Sequence, residues 1–345
     1  MNSTEKDDDV LSQNDIENDD EEVYTAYEIS NYPAFFTLPE YTRKYDPNSE
    51  IFIVPDFQRH PVWSDQKKAK LIESFLMGLP VPPVFLYTDK GITFKIIDGL
   101  QRIHTIYSFF KNEFKLVGLN KQSPYYNKKF YELTEDDRIK LENSILPATI
   151  IKQTNPLNDS SIYLIFERLN TGGEKLNNME VRRCIGYGEF LKTLERINQN
   201  LNWRKILGSS EIHNRFLDLE LVLRVCALFE KEYYSPMKLF LNEYMEKNKD
   251  NAKKGVAEKF EKAVEIIYTQ LGEKPFTLNK RKPNYTVLDT VIVSVMKNLE
   301  IDNLKEKFSK LLDNEGFKNI YEAGQGTMST KSVKERLEIA AGILK

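Results

Sequence analysis

The chain has 345 residues, 41% of them hydrophobic and 12% aromatic, with a formal net charge of −3. That length suggests two domains, and the composition excludes a largely disordered chain. No apolar run is long enough for a bilayer span, the polar start offers no signal peptide, and Cys184 and Cys226 lack CxxC spacing, so a reduced, cytoplasmic protein is expected.

The charge is unevenly placed. Residues 1–22 hold ten acidic groups and one base, Lys6, for a net −9, which leaves +6 for the remainder. The first stretch reads as a disordered acidic tail. A mildly basic body is compatible with nucleic acid without establishing it, since solvated lysines are the commoner cause.

The globular part starts near Val23. Residues 50–54 read as a strand ending at Pro55. Ser64 is a good N-cap for a helix over Asp65–Met77, with Ile72, Phe75 and Leu76 on one face and Gly78 as its stop. Pro80, Pro82 and Pro83 form a rigid connection into a strand over Val84–Tyr87. A turn at Gly91 leads to a strand ending at Asp98, and a helical pattern follows at once through Phe110. Residues 118–137 look like a surface excursion, and Pro147–Gln153 like a further strand. From Asp159 the apolar spacing is helical, in Ile162–Leu169, Phe190–Ile197, Leu217–Phe229 and Phe260–Leu271. The fold class is therefore α+β: an N-terminal α+β domain over 23–155, a break at Asn155-Pro156, and an all-helical domain over 156–345.

Three clusters carry chemistry. The first is the turn Asp98-Gly99-Leu100-Gln101-Arg102, with His104 and Thr105 on the next helical turn. A strand–turn–helix leaves backbone N–H groups unpaired at the helix start, where they can hold an anion beside a carboxylate, a carboxamide and a guanidinium. His104 on this helix is either a general acid or base in the same pocket or a hydrogen-bonded packing residue. The second cluster, Pro55-Asp56-Phe57-Gln58-Arg59 with Trp63 beyond, aims Gln and Arg at a phosphate or base edge, or packs Arg59 on Trp63 or Asp56. In the third, Phe166 to Leu176, a helix ends at Asn170, Gly172-Gly173 permits positive φ, and a new helix begins near Asn178 with Glu180 and Arg182 in its first turns. Arg215 and Asp218 have the spacing of an i,i+3 helical ion pair, and Lys280-Arg281-Lys282 is a short basic run that reads as a solvated loop.

Taken in this order the clusters resemble the N-terminal domain family of the GmrSD modification-dependent restriction systems, also called domain of unknown function 262. The residues that carry the resemblance are Pro55-x-Phe57-Gln58-Arg59 with Trp63, Leu71-Ile72-Glu73-Ser74 leading to Gly78-x-Pro80-x-Pro82-Pro83, Ile97-Asp98-Gly99-x-Gln101-Arg102, Phe166-x-x-Leu169-Asn170-x-Gly172-Gly173, then Leu176 and Glu180-x-Arg182. They span roughly residues 30–230.

The resemblance implies a ParB/sulfiredoxin-like core that binds a nucleoside triphosphate with Mg²⁺ and couples its hydrolysis to DNA recognition or cleavage in phage defence. Carried over by motif, Asp98, Gly99, Gln101 and Arg102 with His104 and Thr105 would form the nucleotide site, completed by Gln58 and Arg59. Asp98, Gln101 and Arg102 would be catalytic, with Asp98 as the Mg²⁺ ligand. Asn170, Gly172, Gly173, Glu180 and Arg182 would line a second wall or lock the domain interface. DNA is the implied partner, with a separate nuclease subunit or a second copy of the chain as further candidates and no role for a membrane.

Two departures matter. The family's motif reads Asp-Gly-Gln-Gln-Arg, and Leu100 replaces its first Gln: catalysis is impaired if that position faces substrate, whereas the change is one of packing if it faces the core. No histidine follows His213, so an HNH nuclease within these residues is not expected, and DNA cleavage would fall to the N-terminal domain or to a partner. Three functions remain, in this order: a nucleotide-hydrolysing module of a restriction system, a ParB-type DNA binder switched by nucleotide without turnover, and a degenerate interaction scaffold.

Overall fold

A computed structural model of the chain describes residues 29–49, 51–53, 63–88, 93–153, 163, 165, 177–278, 282–323 and 326–345. The acidic tail, the Pro55–Arg59 cluster, the Asn155-Pro156 break, the whole Phe166–Leu176 cluster and Lys280-Arg281 lie outside them. The chain divides into two compact units, residues 26–175 and residues 176–345. The first is mixed α and β and the second is helical, which is the expected α+β class.

The first unit is built on five strands, β1 (Ile29–Thr37), β2 (Phe52–Ile53), β3 (Val84–Thr88), β4 (Phe94–Asp98) and β5 (Ile145–Gln153), in the order β1-β5-β3-β4-β2. The pairs β1–β5 and β3–β4 are antiparallel, and β3–β5 and β2–β4 are parallel. The α-helices delimited among the described residues of this unit are α1 (Leu38–Tyr45), α2 (Asp65–Met77), α3 (Leu100–Phe110) and α4 (Glu135–Asn143). Leu38, Tyr41, Ile72, Leu76, Leu86, Ile96, Ile103 and Phe109 share one apolar core.

Local chemistry explains the boundaries. Ser64 accepts from the Lys67 N–H, and Gly78 closes α2 at φ 73°, a left-handed conformation that costs an L side chain energy but glycine little. Two strands tolerate prolines because of ladder parity. Leu38 N–H donates to the Ser144 carbonyl directly opposite, while the Thr37 N–H turns away to the Glu40 carboxylate. With period two along an extended strand, the even-numbered residues of β1 face β5 and the odd-numbered ones face outward. Pro33 is odd, so its missing N–H falls on the open edge. Pro147, opposite Phe35, likewise sits between ladder bonds to β1, and precedes the first residue that pairs with β3, Ala148.

The second unit contains ten helices among the described residues: α5 (Asn178–Ile185), α6 (Glu189–Asn198), α7 (Leu201–Leu207), α8 (Leu217–Glu230), α9 (Met237–Asn248), α10 (Lys254–Leu271), α11 (Tyr285–Lys297), α12 (Leu304–Asp313), α13 (Glu315–Glu322) and α14 (Thr330–Ile343). Helices α8 and α11 are buried on every side over residues 217–228 and 285–296, the mark of central helices. Arg215 and Asp218 do not pair. Phe216, at φ 58°, breaks the chain before α8, so the two are not on one helix; Arg215 joins Glu180 at 2.9 Å and Asp218 joins Arg204 at 2.6 Å.

Candidate functional site

The turn from β4 into α3 brings the central motif together. Asp98 closes the strand, Gly99 takes φ 98° and α3 starts at Leu100. Glycine is required twice at this point. A Cβ would stand 2.3 Å from Cγ1 of Val84, and the dihedral lies where L side chains are strained. The packing of β3 against the turn therefore fixes where α3 begins.

Arg102 reaches back across this turn. Its Nη2 donates to Oδ2 of Asp98 at 2.5 Å, and its Nη1 donates to the carbonyls of Pro82 at 2.5 Å and Pro83 at 3.1 Å. One guanidinium thus ties the proline connection, the end of β4 and the first turn of α3 into one piece. The Arg102 side chain is 13% exposed and that of Asp98 is 30% exposed, so the pair is reachable from solvent on the carboxylate side. The two proline carbonyls are the partners that residue-type reasoning missed, since backbone acceptors leave no mark in a motif.

Among the described residues, no side-chain cap hydrogen bond is made at Gly99, the N-cap of α3. Ile103 N–H already bonds the Gly99 carbonyl, so the helix itself offers no acceptor to the N–H groups of Leu100 and Arg102 in the turn before it. Gly99 and Leu100 are buried, where unpaired N–H groups are costly and a ligand anion would satisfy them. Gln101 is half-buried, and its Oε1 accepts from the Trp63 N–H at 3.4 Å, which links it to the residue that follows the Gln58–Arg59 segment. Gln58 and Arg59 themselves, and Asn170, Gly172 and Gly173, lie outside the described residues.

The other candidates have structural partners. Leu100 belongs to the apolar core, so in this chain the departure from Asp-Gly-Gln-Gln-Arg is a packing residue. Thr105 is buried and its hydroxyl donates to the Gln101 carbonyl at 2.6 Å. His104 meets the Tyr45 hydroxyl at 3.2 Å through Nδ1 and the Ser108 hydroxyl at 3.4 Å through Nε2. Burial holds its pKa below the ordinary histidine value. Both ring nitrogens are thereby engaged, the arrangement of a packing histidine. Glu180 forms a capping box with Asn177 at the start of α5 and binds Arg215. Arg182 is fully buried and donates to Asn242 at 2.8 Å, Glu220 at 2.5 Å and the Lys238 carbonyl at 3.3 Å. These partners of Glu180 and Arg182 all belong to the helical unit.

With the turn described, the relatives can be placed. Residues 38–186 match the family model of the GmrSD restriction endonuclease N-terminal domain. The chain carries a domain of this family over those residues. The GmrSD domain so defined includes the whole Asp98–Arg102 turn and ends at Gly186, the residue that caps α5. No curated protein and no solved structure matches the chain. Among the described residues, no helix is long and apolar enough to cross a membrane, and no group of three or more His, Cys, Asp or Glu side chains is placed to hold a metal.

Proposed function

We propose that the 26–175 unit is the nucleoside triphosphate-binding, and hydrolysing, module of a DNA restriction system. The observation that carries this reading is the buried, uncapped start of α3 beside the Asp98–Arg102 pair, inside a GmrSD N-terminal domain. Phosphate oxygens would accept from the Leu100 and Arg102 N–H groups, where the helix dipole and the Arg102 guanidinium favour negative charge. Gln101 would orient the nucleotide or the attacking water.

Asp98 fits a magnesium ion in one way only. Its Oδ2 is committed to Arg102, so Oδ1 would hold the ion, and the phosphates and water would supply the remaining ligands. A bound Mg²⁺ would neutralise phosphate charge as it develops. DNA is the substrate class that the restriction-system domain suggests, and nucleotide turnover would drive its recognition.

A second reading, binding without turnover, is favoured by a separate observation. The Arg102 guanidinium directs three of its N–H groups to protein acceptors, which hold it at the turn and leave its remaining donors to bind a phosphate rather than to follow a transferring phosphoryl group.

The test is binding and hydrolysis of the four ribonucleoside triphosphates with Mg²⁺ by the full chain, Gln101→Ala and Arg102→Ala, with thermal midpoints as the folding control. Saturable binding that Gln101→Ala weakens in a folded protein, with turnover that Arg102→Ala removes, is the expected result. Binding with no turnover selects the switch. No binding of any nucleotide overturns the proposal.

A further inference from the structure

Among the described residues, strand β1 lies at an edge of the sheet, and it ends at Thr37, immediately before the stretch that matches the GmrSD family model. It is nine residues long and carries no charge, Ile-Ser-Asn-Tyr-Pro-Ala-Phe-Phe-Thr. Natural edges are ordinarily blunted by charge, proline, shortness or a bulge; of these β1 has only Pro33, and its uncharged length remains a template for a strand that needs no donor at that residue. Phe35 is 67% exposed and Tyr32 is 45% exposed on it, on opposite faces of the sheet.

We propose that this edge pairs with the same edge of a second copy, antiparallel about a two-fold axis at Tyr32. The ladder parity selects the register, and the lack of charge on β1 lets a strand of the same sequence occupy it. Ile29, Asn31, Pro33, Phe35 and Thr37 direct their backbone groups outward, but Pro33 has no N–H and the Thr37 N–H is held by Glu40. A strand pairing with β1 must therefore make no use of donors at 33 and 37.

With Tyr32 on the axis, Ile29 faces Phe35 of the second copy and the two exchange both bonds. Asn31 donates to the second copy's Pro33 carbonyl, and Thr37 falls beyond the pairing. Shifting the centre to Pro33 sets two donorless residues against each other and brings the capped Thr37 opposite Ile29. The same choice places Tyr32 against Tyr32 in a non-hydrogen-bonded pair, where side chains approach most closely, and the exposed Phe35 against Ile29. Because β1 is uncharged, a two-fold axis brings no like charges together, as isologous pairing requires.

Sedimentation of the full chain over a concentration series tests this, with Asn31→Pro and Phe35→Lys. Asn31→Pro removes an outward N–H and no bond to β5, and Phe35→Lys charges an exposed site, so both keep the fold, checked by their thermal midpoints. A reversible dimer that each variant weakens about ten-fold or more is expected. In the register proposed, Tyr32→Cys forms an intermolecular disulfide on mild oxidation, since directly opposed non-hydrogen-bonded residues lie about 4.5 Å apart, within disulfide reach. Phe35→Cys, far from its own copy along the strand, and the parent chain with its two native cysteines do not. A chain that stays monomeric, a dimer indifferent to both edge variants, cross-linking at Phe35→Cys rather than Tyr32→Cys, or an edge that takes only a foreign extended peptide overturns the proposal.

Discussion

In the helical unit, Arg182, Arg204, Arg224 and Arg336 are sealed from solvent against Glu220, Asp218 and Asp289. The 26–175 unit buries no charged residue among its described residues, and its central ion pair, Asp98–Arg102, remains partly open. The difference separates two uses of charge. A sealed pair cannot change partners without exposing a bare ion to the apolar interior, so it fixes how helices sit and does nothing else. A pair at a half-open turn can exchange one partner for a phosphate or a metal at modest cost, because water screens both states.

The sharpest way to break this comparison is to truncate one carboxylate on each side. Asp289 holds both Arg224 and Arg336, in a site where none of the three is more than 1% exposed. Burial alone would raise its pKa, but the two guanidinium groups outweigh that and hold it below the ordinary carboxylate range. Asp289→Ala leaves two buried cations unpaired and should cost about 3–5 kcal/mol in urea unfolding. Asp98→Ala should cost about 1 kcal/mol. Equal costs would mean that Asp98–Arg102 is as structural as the sealed pairs.

A second substitution probes the turn itself. Gly99→Ala places a Cβ against Val84 at a left-handed dihedral and should cost about 2–4 kcal/mol, from the strain and the displaced core side chain together. Nucleotide affinity should fall with it, because the uncapped N–H groups follow the backbone of the turn. Unchanged affinity in a destabilised protein would separate the anion site from this turn.

Leu100→Gln tests whether position 100 belongs to the core or to the chemistry. It restores the family's Asp-Gly-Gln-Gln-Arg at a residue packed in the apolar core, and should destabilise by about 1–3 kcal/mol without raising turnover. A stable variant with faster hydrolysis would place this side chain in the site.

These cases show what was legible in the sequence and what was not. The helix over Asp65–Met77 and the strand and helix flanking Asp98-Gly99 have the expected limits, since each rests on a local signal: a Ser cap, a glycine stop, an apolar period. Strand β1 gave no such signal. Asn, Ser and Pro interrupt the β1 pattern, and its register comes from β5, more than a hundred residues later. Helix α1 does carry local signals, the Thr37–Glu40 capping box and Pro39 in its first turn, but it is eight residues long and follows this irregular strand directly. The motif residues of the turn were found, but their partners Pro82, Pro83, Tyr45 and the Trp63 N–H were not. Backbone acceptors and cross-element contacts are properties of the folded chain rather than of any short window.

The smallest effect expected concerns His104, on the far side of α3's first turns from the Asp98–Arg102 pair in role as well as in partners. Desolvation lowers its pKa; Glu113 opposes this, Lys68 adds to it, and the Tyr45 and Ser108 hydroxyls occupy the ring nitrogens. In the unfolded chain the imidazole titrates near its ordinary value of about 6.5. Above that pH both states are neutral and the histidine adds no pH dependence. As the pH falls through it, the unfolded chain takes up the proton first, and stability is lost until the depressed folded value is passed. Thermal midpoints of the wild type and His104→Gln, followed from about pH 7.5 to pH 5, isolate this contribution, because the carboxylates common to both cancel. The wild type should lose more stability than the variant over that interval. Parallel curves would show an imidazole that charges freely in the folded state, and that would return His104 to the open side of the molecule, within reach of the chemistry at Asp98.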